Sequence, residues 1–259
     1  MVLAGIPFDD IGMRSTAERI VAWSRDGSFG YVCTPNVDYV VRASRDRSFR
    51  AAILGARLRV PDGMGLIYGS RIAGQPIRET VTGRLLPQEV LRVAGAHEIP
   101  VALFGGRPGV AERAAAALRA QGAKVVESLG PSVPFAVGSA EDAAATARLA
   151  ASGARIIYVG LGAPRQEVWM GAHQRELGAV LVGIGAGLDV IAGRVAEAPR
   201  WMTRIGLEWA FRLVHEPRRL ARRYLIDDPP FFWWMLGARF GRTREDAQGP
   251  PDGTMSNSA

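Results

Sequence analysis

Cysteine, lysine and histidine are all scarce in this sequence. Cys33 stands alone, so no disulfide framework can staple the chain, and a reducing compartment is expected. Lys124 is the only lysine; nearly all the positive charge is arginine. The three histidines, His97, His173 and His215, are scattered, and no carboxylate-x-carboxylate motif stands out, so no metal site is expected. A charged N-terminal stretch leading into a long apolar run is missing, which argues against a signal peptide. No run of about 18 or more apolar residues occurs, so no spanning helix is expected and any membrane contact would be peripheral. G-x-G-x-x-G is also missing, which counts against a dinucleotide-binding oxidoreductase.

What is present is an ordinary globular composition, with 48% hydrophobic and 22% charged residues in 259, enough for one large or two small domains. The formal net charge is +7 and is unevenly placed. Between Arg194 and Arg244, 11 arginines face five acidic residues, a net of +6. Such an asymmetry points to an anionic partner for the C-terminal part: phosphate, nucleic acid or an anionic membrane.

Short apolar runs alternate with helical stretches. Strands are expected at 31–33, 58–60, 101–104, 124–127, 155–159 and 180–182, each ending in a turn rich in Gly, Pro or Asn. Ser15 with Glu18 reads as a capping box opening a helix to about Trp23. The alternation predicts an α/β fold of mostly parallel sheet with flanking helices. Four stretches are expected: an N-terminal α/β lobe (1–95), a Rossmann-like nucleotide-binding lobe (96–194), a basic helical and aromatic appendage (195–240), and a polar tail without stable structure (241–259).

Candidate site residues lie where strands end, because ligands of open α/β sheets bind there. Thr34-Pro35-Asn36 follows the strand at 31–33; Thr34 and Asn36 offer uncharged donors and acceptors suited to a sugar, although Pro and Asn also favour ordinary turns. Asp62, in Pro61-Asp62-Gly63, is placed to take a proton from an attacking hydroxyl, or is simply an Asp-Gly turn. Gly105-Gly106 and Gly160-Leu161-Gly162 each join a strand to a helix, where backbone N–H groups bind phosphate. Gln166 and Glu167 open the helix after Gly162; Gln166 suits a base or a sugar hydroxyl, and Glu167 the positive end of the helix. Gly183, Gly185 and Gly187 allow a close backbone approach.

In the basic segment, Arg204, Glu208 and Arg212 share a helical row, and Arg218, Arg219, Arg222 and Arg223 form two more. Crowded positive charge of this kind fits a diphosphate or an anionic lipid surface. Phe231-Phe232-Trp233-Trp234-Met235-Leu236 is too short to span a bilayer but suits a membrane interface, packing against the protein body, or contact with a second copy.

Taken in order, Thr34-Pro35-Asn36, Pro61-Asp62-Gly63-Met64-Gly65, Gly160 to Glu167 and Gly206-Leu207-Glu208-Trp209 resemble the WecG/TagA/CpsF glycosyltransferase family, over roughly residues 3–226. The resemblance implies inverting transfer of a sugar, such as N-acetylmannosamine, from a UDP-sugar to a polyprenyl-diphosphate-linked sugar. It implies action at the inner face of the plasma membrane, in cell-surface polysaccharide synthesis, with no metal, no other cofactor and no nucleic acid. It makes Asp62 the base, puts Thr34, Asn36 and Gln166 in the sugar pocket, and has the appendage cover the site. Arg212, Arg219 and Arg222 are then candidates for the leaving diphosphate, beside Gly105, Gly106 and Gly162. Two departures stand out: Glu197 replaces a residue that is often basic in the family, and Gly83-Arg84-Leu85-Leu86 lacks the family's Asp. Without the resemblance, a soluble nucleotide-dependent enzyme or a nucleic-acid-binding module using the arginines stays open.

Overall fold

The computed structural model describes residues 1–95, 99–131, 135–195, 202, 208–215 and 227–241. Its centre is one all-parallel sheet of six strands: β3 (Gly30–Cys33), β4 (Leu58–Arg59), β5 (Val101–Gly105), β6 (Val125–Leu129), β7 (Ile156–Gly160) and β8 (Val180–Gly183), in the order β4-β3-β8-β7-β5-β6. A two-residue antiparallel pair, β1 (Val2–Leu3) and β2 (Ile6–Pro7), precedes it. The stretches 1–95 and 96–194 therefore contribute to the same sheet, joined by the β3–β8 ladder, rather than forming a sheet each.

Both faces of the sheet are covered, which is why its strands read as continuous apolar runs. Val32, Leu103, Tyr158 and Val182 point to one face and Tyr31, Phe104, Ile157 and Leu181 to the other, all essentially buried. Helices α1 (Met13–Asp26), α5 (Leu86–Ala94) and α6 (Val110–Ala120) pack on the first face through Ile20, Val90 and Ala114. Helices α7 (Ala140–Ala151) and α8 (Arg165–Leu177) cover the second through Leu149, Trp169 and Met170. A third cluster lies under β1–β2 and joins α2 (Val37–Ala43), α3 (Arg47–Leu54) and α4 (Met64–Ile72). Each large side chain buried this way contributes about 1.5–3 kcal/mol.

Long-range polar contacts lock several helices. Asp142 of α7 is buried and accepts from the Gly138 N–H at 2.7 Å and from Trp169 Nε1 at 2.6 Å, with His173 Nε2 at 3.1 Å, tying α7 to α8. Burial alone would raise its pKa; those donors outweigh it and hold the carboxyl below its usual value. At α1 the expected capping box is not formed. The helix starts at Met13, so Ser15 is already inside it, and Glu18 pairs with Arg14 at 2.9 Å. The N-terminal acceptor is Glu79, whose Oε1 takes the Met13 N–H at 3.0 Å from 66 residues away.

Beyond β8 come α9 (Gly187–Ile191), α10 (Glu208–His215) and α11 (Pro229–Arg239). Pro229 and Pro230 begin α11, since proline tolerates the first turn. The aromatic run divides by side. Phe231 and Met235 are buried in the third cluster against Gly69 of α4, whereas Trp233 is 70% and Phe240 73% exposed. The helical rows of Arg218, Arg219, Arg222 and Arg223 and the polar tail from residue 242 lie outside the described residues.

Where β5 ends, Gly105 has φ +126°, and a Cβ there would lie 2.5 Å from the Gly160 carbonyl. We expect Gly105→Ala to cost about 3 kcal/mol, from backbone strain plus overpacking. Gly153→Ala, at φ +69° with open space around it, should cost about 1 kcal/mol. Equal losses in chemical denaturation would show that the close strand approach does not constrain the fold.

Candidate functional site

The sequence order of the strands creates a topological switch point at the carboxyl edge of the sheet. The chain leaves β5 through α6 towards β6 and leaves the neighbouring β7 through α8 towards β8, in opposite directions. Ligands of doubly wound sheets bind at such reversals. The two Gly-rich turns flank this point: Gly105 and Gly160 are register partners, and the Gly106 N–H donates to the Gly160 carbonyl at 2.9 Å. Gly160 in turn sits so close to the β8 turn that a Cβ would lie 2.9 Å from the Gly185 carbonyl. Gly162, at φ +73°, has nothing within 4 Å of its Cβ direction and accepts the Gln166 N–H at 3.0 Å.

The ladder between β3 and β8 places Thr34 beside this edge. Thr34 is buried, and its hydroxyl donates to the Gly183 carbonyl at 3.4 Å. Gly83 is wedged between them, with a Cβ direction 3.0 Å from Thr34 Oγ1 and 3.2 Å from the Gly183 carbonyl. Asn36 caps α2, its side-chain oxygen accepting the Tyr39 N–H at 3.2 Å. Asp62 is half-buried just beyond β4, and its N–H donates to the Pro35 carbonyl at 2.9 Å, so backbone bonding holds it to the Thr34–Asn36 turn. The preceding Pro61 carbonyl accepts the Val81 N–H at 2.7 Å, fixing the turn from the other side.

Gln166 and Glu167 face inward, not outward. Both are fully buried. Gln166 Oε1 accepts the Gly185 N–H at 2.9 Å, and its Nε2 donates to Glu167 Oε1 at 2.7 Å. Tyr39 of α2 donates its hydroxyl to the same Glu167 oxygen at 2.8 Å. Burial pushes the Glu167 carboxyl up to about 7, against the lowering effect of those donors. Its expected part as a charge at a helix end is thus replaced by one in a buried network. Arg42 of α2 adds a bond to the Ala163 carbonyl at 3.4 Å.

The fold therefore gathers Thr34, Asn36, Asp62 and Gln166 with the turns of Gly105, Gly106 and Gly162 along one edge. Arg219 and Arg222 lie outside the described residues, as does the side chain of Arg212, whose backbone belongs to α10. Tyr39 is missed in the sequence, and Gly83 is noted there only within the run that departs from the family pattern. Gly83 carried no turn signal, and Tyr39 looked like any apolar residue of α2 until tertiary contact gave its hydroxyl a partner.

Residues 1–245 match the Glycosyl transferase WecG/TagA/CpsF family, nearly the whole chain, and the protein belongs to that family. It is a glycosyltransferase, acting between a sugar donor and an acceptor.

Gln166 is the link between α8 and the β8 turn. Gln166→Leu should lower stability by about 1–3 kcal/mol, because it strands the part-buried Gly185 N–H and removes a donor from the buried Glu167 carboxyl. Stability unchanged in urea denaturation would mean that this bond does not hold the turn.

Proposed function

We propose that the protein moves a sugar from a UDP-sugar to a polyprenyl-diphosphate-linked sugar, with inversion, at the inner face of the membrane. The observation that carries this reading is the tethering of Asp62 to the Thr34–Asn36 turn beside the Gly-rich crevice. In this reading the nucleotide lies over the crevice between β5 and β7. Its diphosphate meets backbone N–H groups at the turns of Gly105, Gly106 and Gly162. Thr34, Asn36 and Gln166 border the sugar, Gln166 chiefly by holding the Gly185 turn.

Asp62 takes the proton of the acceptor hydroxyl as that oxygen attacks the anomeric carbon, and UDP departs from the opposite side. One C–O bond forms and one breaks, and the negative charge appears on the β-phosphate. Without a metal, backbone donors and arginines of the appendage, among them Arg212, Arg219 and Arg222, stabilise that charge; each such donor lowers the barrier by about 2.7–4 kcal/mol.

The test is UDP release from a panel of UDP-sugars, with and without a short-chain polyprenyl-diphosphate-sugar. Acceptor-dependent release should fall by about 10²–10⁴-fold in Asp62→Asn. Release untouched by that change would remove Asp62 as the base, and no release with any pair would count against the UDP-sugar donor.

The acceptor's lipid calls for a surface contact. Among the described residues no helix is long and apolar enough to cross a membrane. Trp233, Leu236 and Phe240 form an exposed apolar stripe on α11, with Arg239 exposed beside it, a combination suited to an anionic interface. Trp233→Ser with Phe240→Ser should weaken co-sedimentation with phosphatidylglycerol vesicles by about tenfold or more, given the apolar area removed. Partition equal to wild type would exclude this stripe as the contact.

A further inference from the structure

Glu167 begins a helix, where a carboxylate gains most by facing solvent and the helix N-terminus. Instead it is turned into the protein and fully buried between α8, α2 and β3. Its two oxygens are treated unequally. Oε1 accepts from both Tyr39 Oη and Gln166 Nε2, whereas Oε2 is buried without a hydrogen-bond partner among the described residues. An ionised carboxylate spreads its charge over both oxygens and needs donors at each. Here one oxygen takes both donors and the other none, so ionisation would leave charge buried and unpaired on Oε2, a larger cost than an unpaired neutral O–H.

The neighbouring ionisable groups do not favour charge either. Tyr31 and Cys33 of β3 and Tyr39 of α2 are each held protonated by burial, and the Glu167 charge would raise all three further. Asp62 adds its negative field at Tyr39, while Arg59 opposes these effects at Tyr31 and Cys33.

The consequence lies in the neighbouring amide. A Gln side chain can present either end, but an acceptor at Glu167 Oε1 selects the Nε2 end. Gln166 Oε1 is then forced towards the Gly185 N–H, as observed at 2.9 Å. We propose that Glu167, in its neutral form and braced by Tyr39, is a positioning residue for sugar transfer, fixing the Gln166 amide and through it the Gly185 turn at the carboxyl edge of β8. Its catalytic half rests on the transferase reading; its structural half does not. The arrangement also ties Asn36, through the cap on Tyr39, to the β8 turn on the far side of β3, so the elements bordering the sugar are set by one hydrogen-bonded chain.

The experiment compares full-length wild type with Glu167→Leu, Glu167→Gln and Tyr39→Phe, reading amide hydrogen exchange at Gly185 and transfer from the UDP-sugar donor between pH 6 and 8.5. Glu167→Leu, which leaves the amide unoriented, should speed Gly185 exchange and lower kcat, each by about tenfold or more. Glu167→Gln keeps an acceptor in place and should restore both to within about fivefold of wild type. Ionisation would put charge on the unpaired Oε2 and draw the carboxyl towards water and away from the Gln166 amide. Wild-type kcat should therefore decline as pH rises through about 7, where burial sets the Glu167 titration, and Glu167→Gln should lose that limb. Tyr39→Phe removes a donor that favours the charged form, so it should move the limb to higher pH; this variant decides if Glu167→Leu does not fold. Gly185 exchange unaltered by Glu167→Leu, or a limb unmoved in both Glu167→Gln and Tyr39→Phe, would overturn the proposal. A wild type inactive with every donor would instead overturn the UDP-sugar reading, and Gly185 exchange would still decide the structural half.

Discussion

The parallel ladder between β3 and β8 joins residues about 150 positions apart, Gly30 to Val180 through Val32 to Val182, and the site depends on it. Its register sets Thr34 against Gly183. Through the turn after β3 it brings Asp62 to the same edge as Gln166 and the Gly-rich turns. Closing so long a loop is entropically costly, and the ladder forms only because both faces of the sheet then bury apolar side chains. A slip of one residue would reverse the faces of Tyr31, Val32 and Cys33 and expel Tyr31 from its cluster, so the core fixes the register and the register fixes the site.

Two kinds of contact then hold the edge. One is backbone on backbone: the glycines of β5, β7 and β8 let three turns approach more closely than side chains would allow. The other is a buried polar chain from Asn36 through Tyr39, Glu167 and Gln166 to Gly185. In a buried polar network an unpaired charge costs more than an unpaired neutral group, and Glu167 Oε2 is the unpaired atom of this one. A glycosyltransferase built this way holds the turns at its strand ends by preorganised contacts from rigid elements.

Much of the fold was legible in the sequence because buried parallel strands announce themselves as short β-rich runs. All six strands of the sheet were read within a residue or two, as were the turns that end them. Errors arose where a local signal met a distant partner. Ser15 and Glu18 fit a capping box, yet Glu79 arrived at the start of α1 from another part of the chain and moved the helix start. Helix α4 gave no amphipathic signal because Gly65 and Gly69 occupy its packed positions; Gly69 makes room for Phe231. The aromatic run on α11 read as one surface but has two faces, Phe231 and Met235 inward and Trp233 outward, because α4 covers only one side.

The sequence by itself determined the α/β class, the strands with the turns that end them, and, through the ordered motifs around Asp62 and Gln166, the family. These are properties of local pattern and spacing, which survive without coordinates. Only the tertiary structure decided that one six-stranded sheet draws its strands from both 1–95 and 96–194, that Gln166 grips a turn, and that Glu167 is buried against Tyr39, at the opposite end of the polarity expected for a glutamate at a helix start. The reason is physical: a side chain's burial, and with it its charge, is set by what packs against it, and here those neighbours come from 128 residues away in the chain.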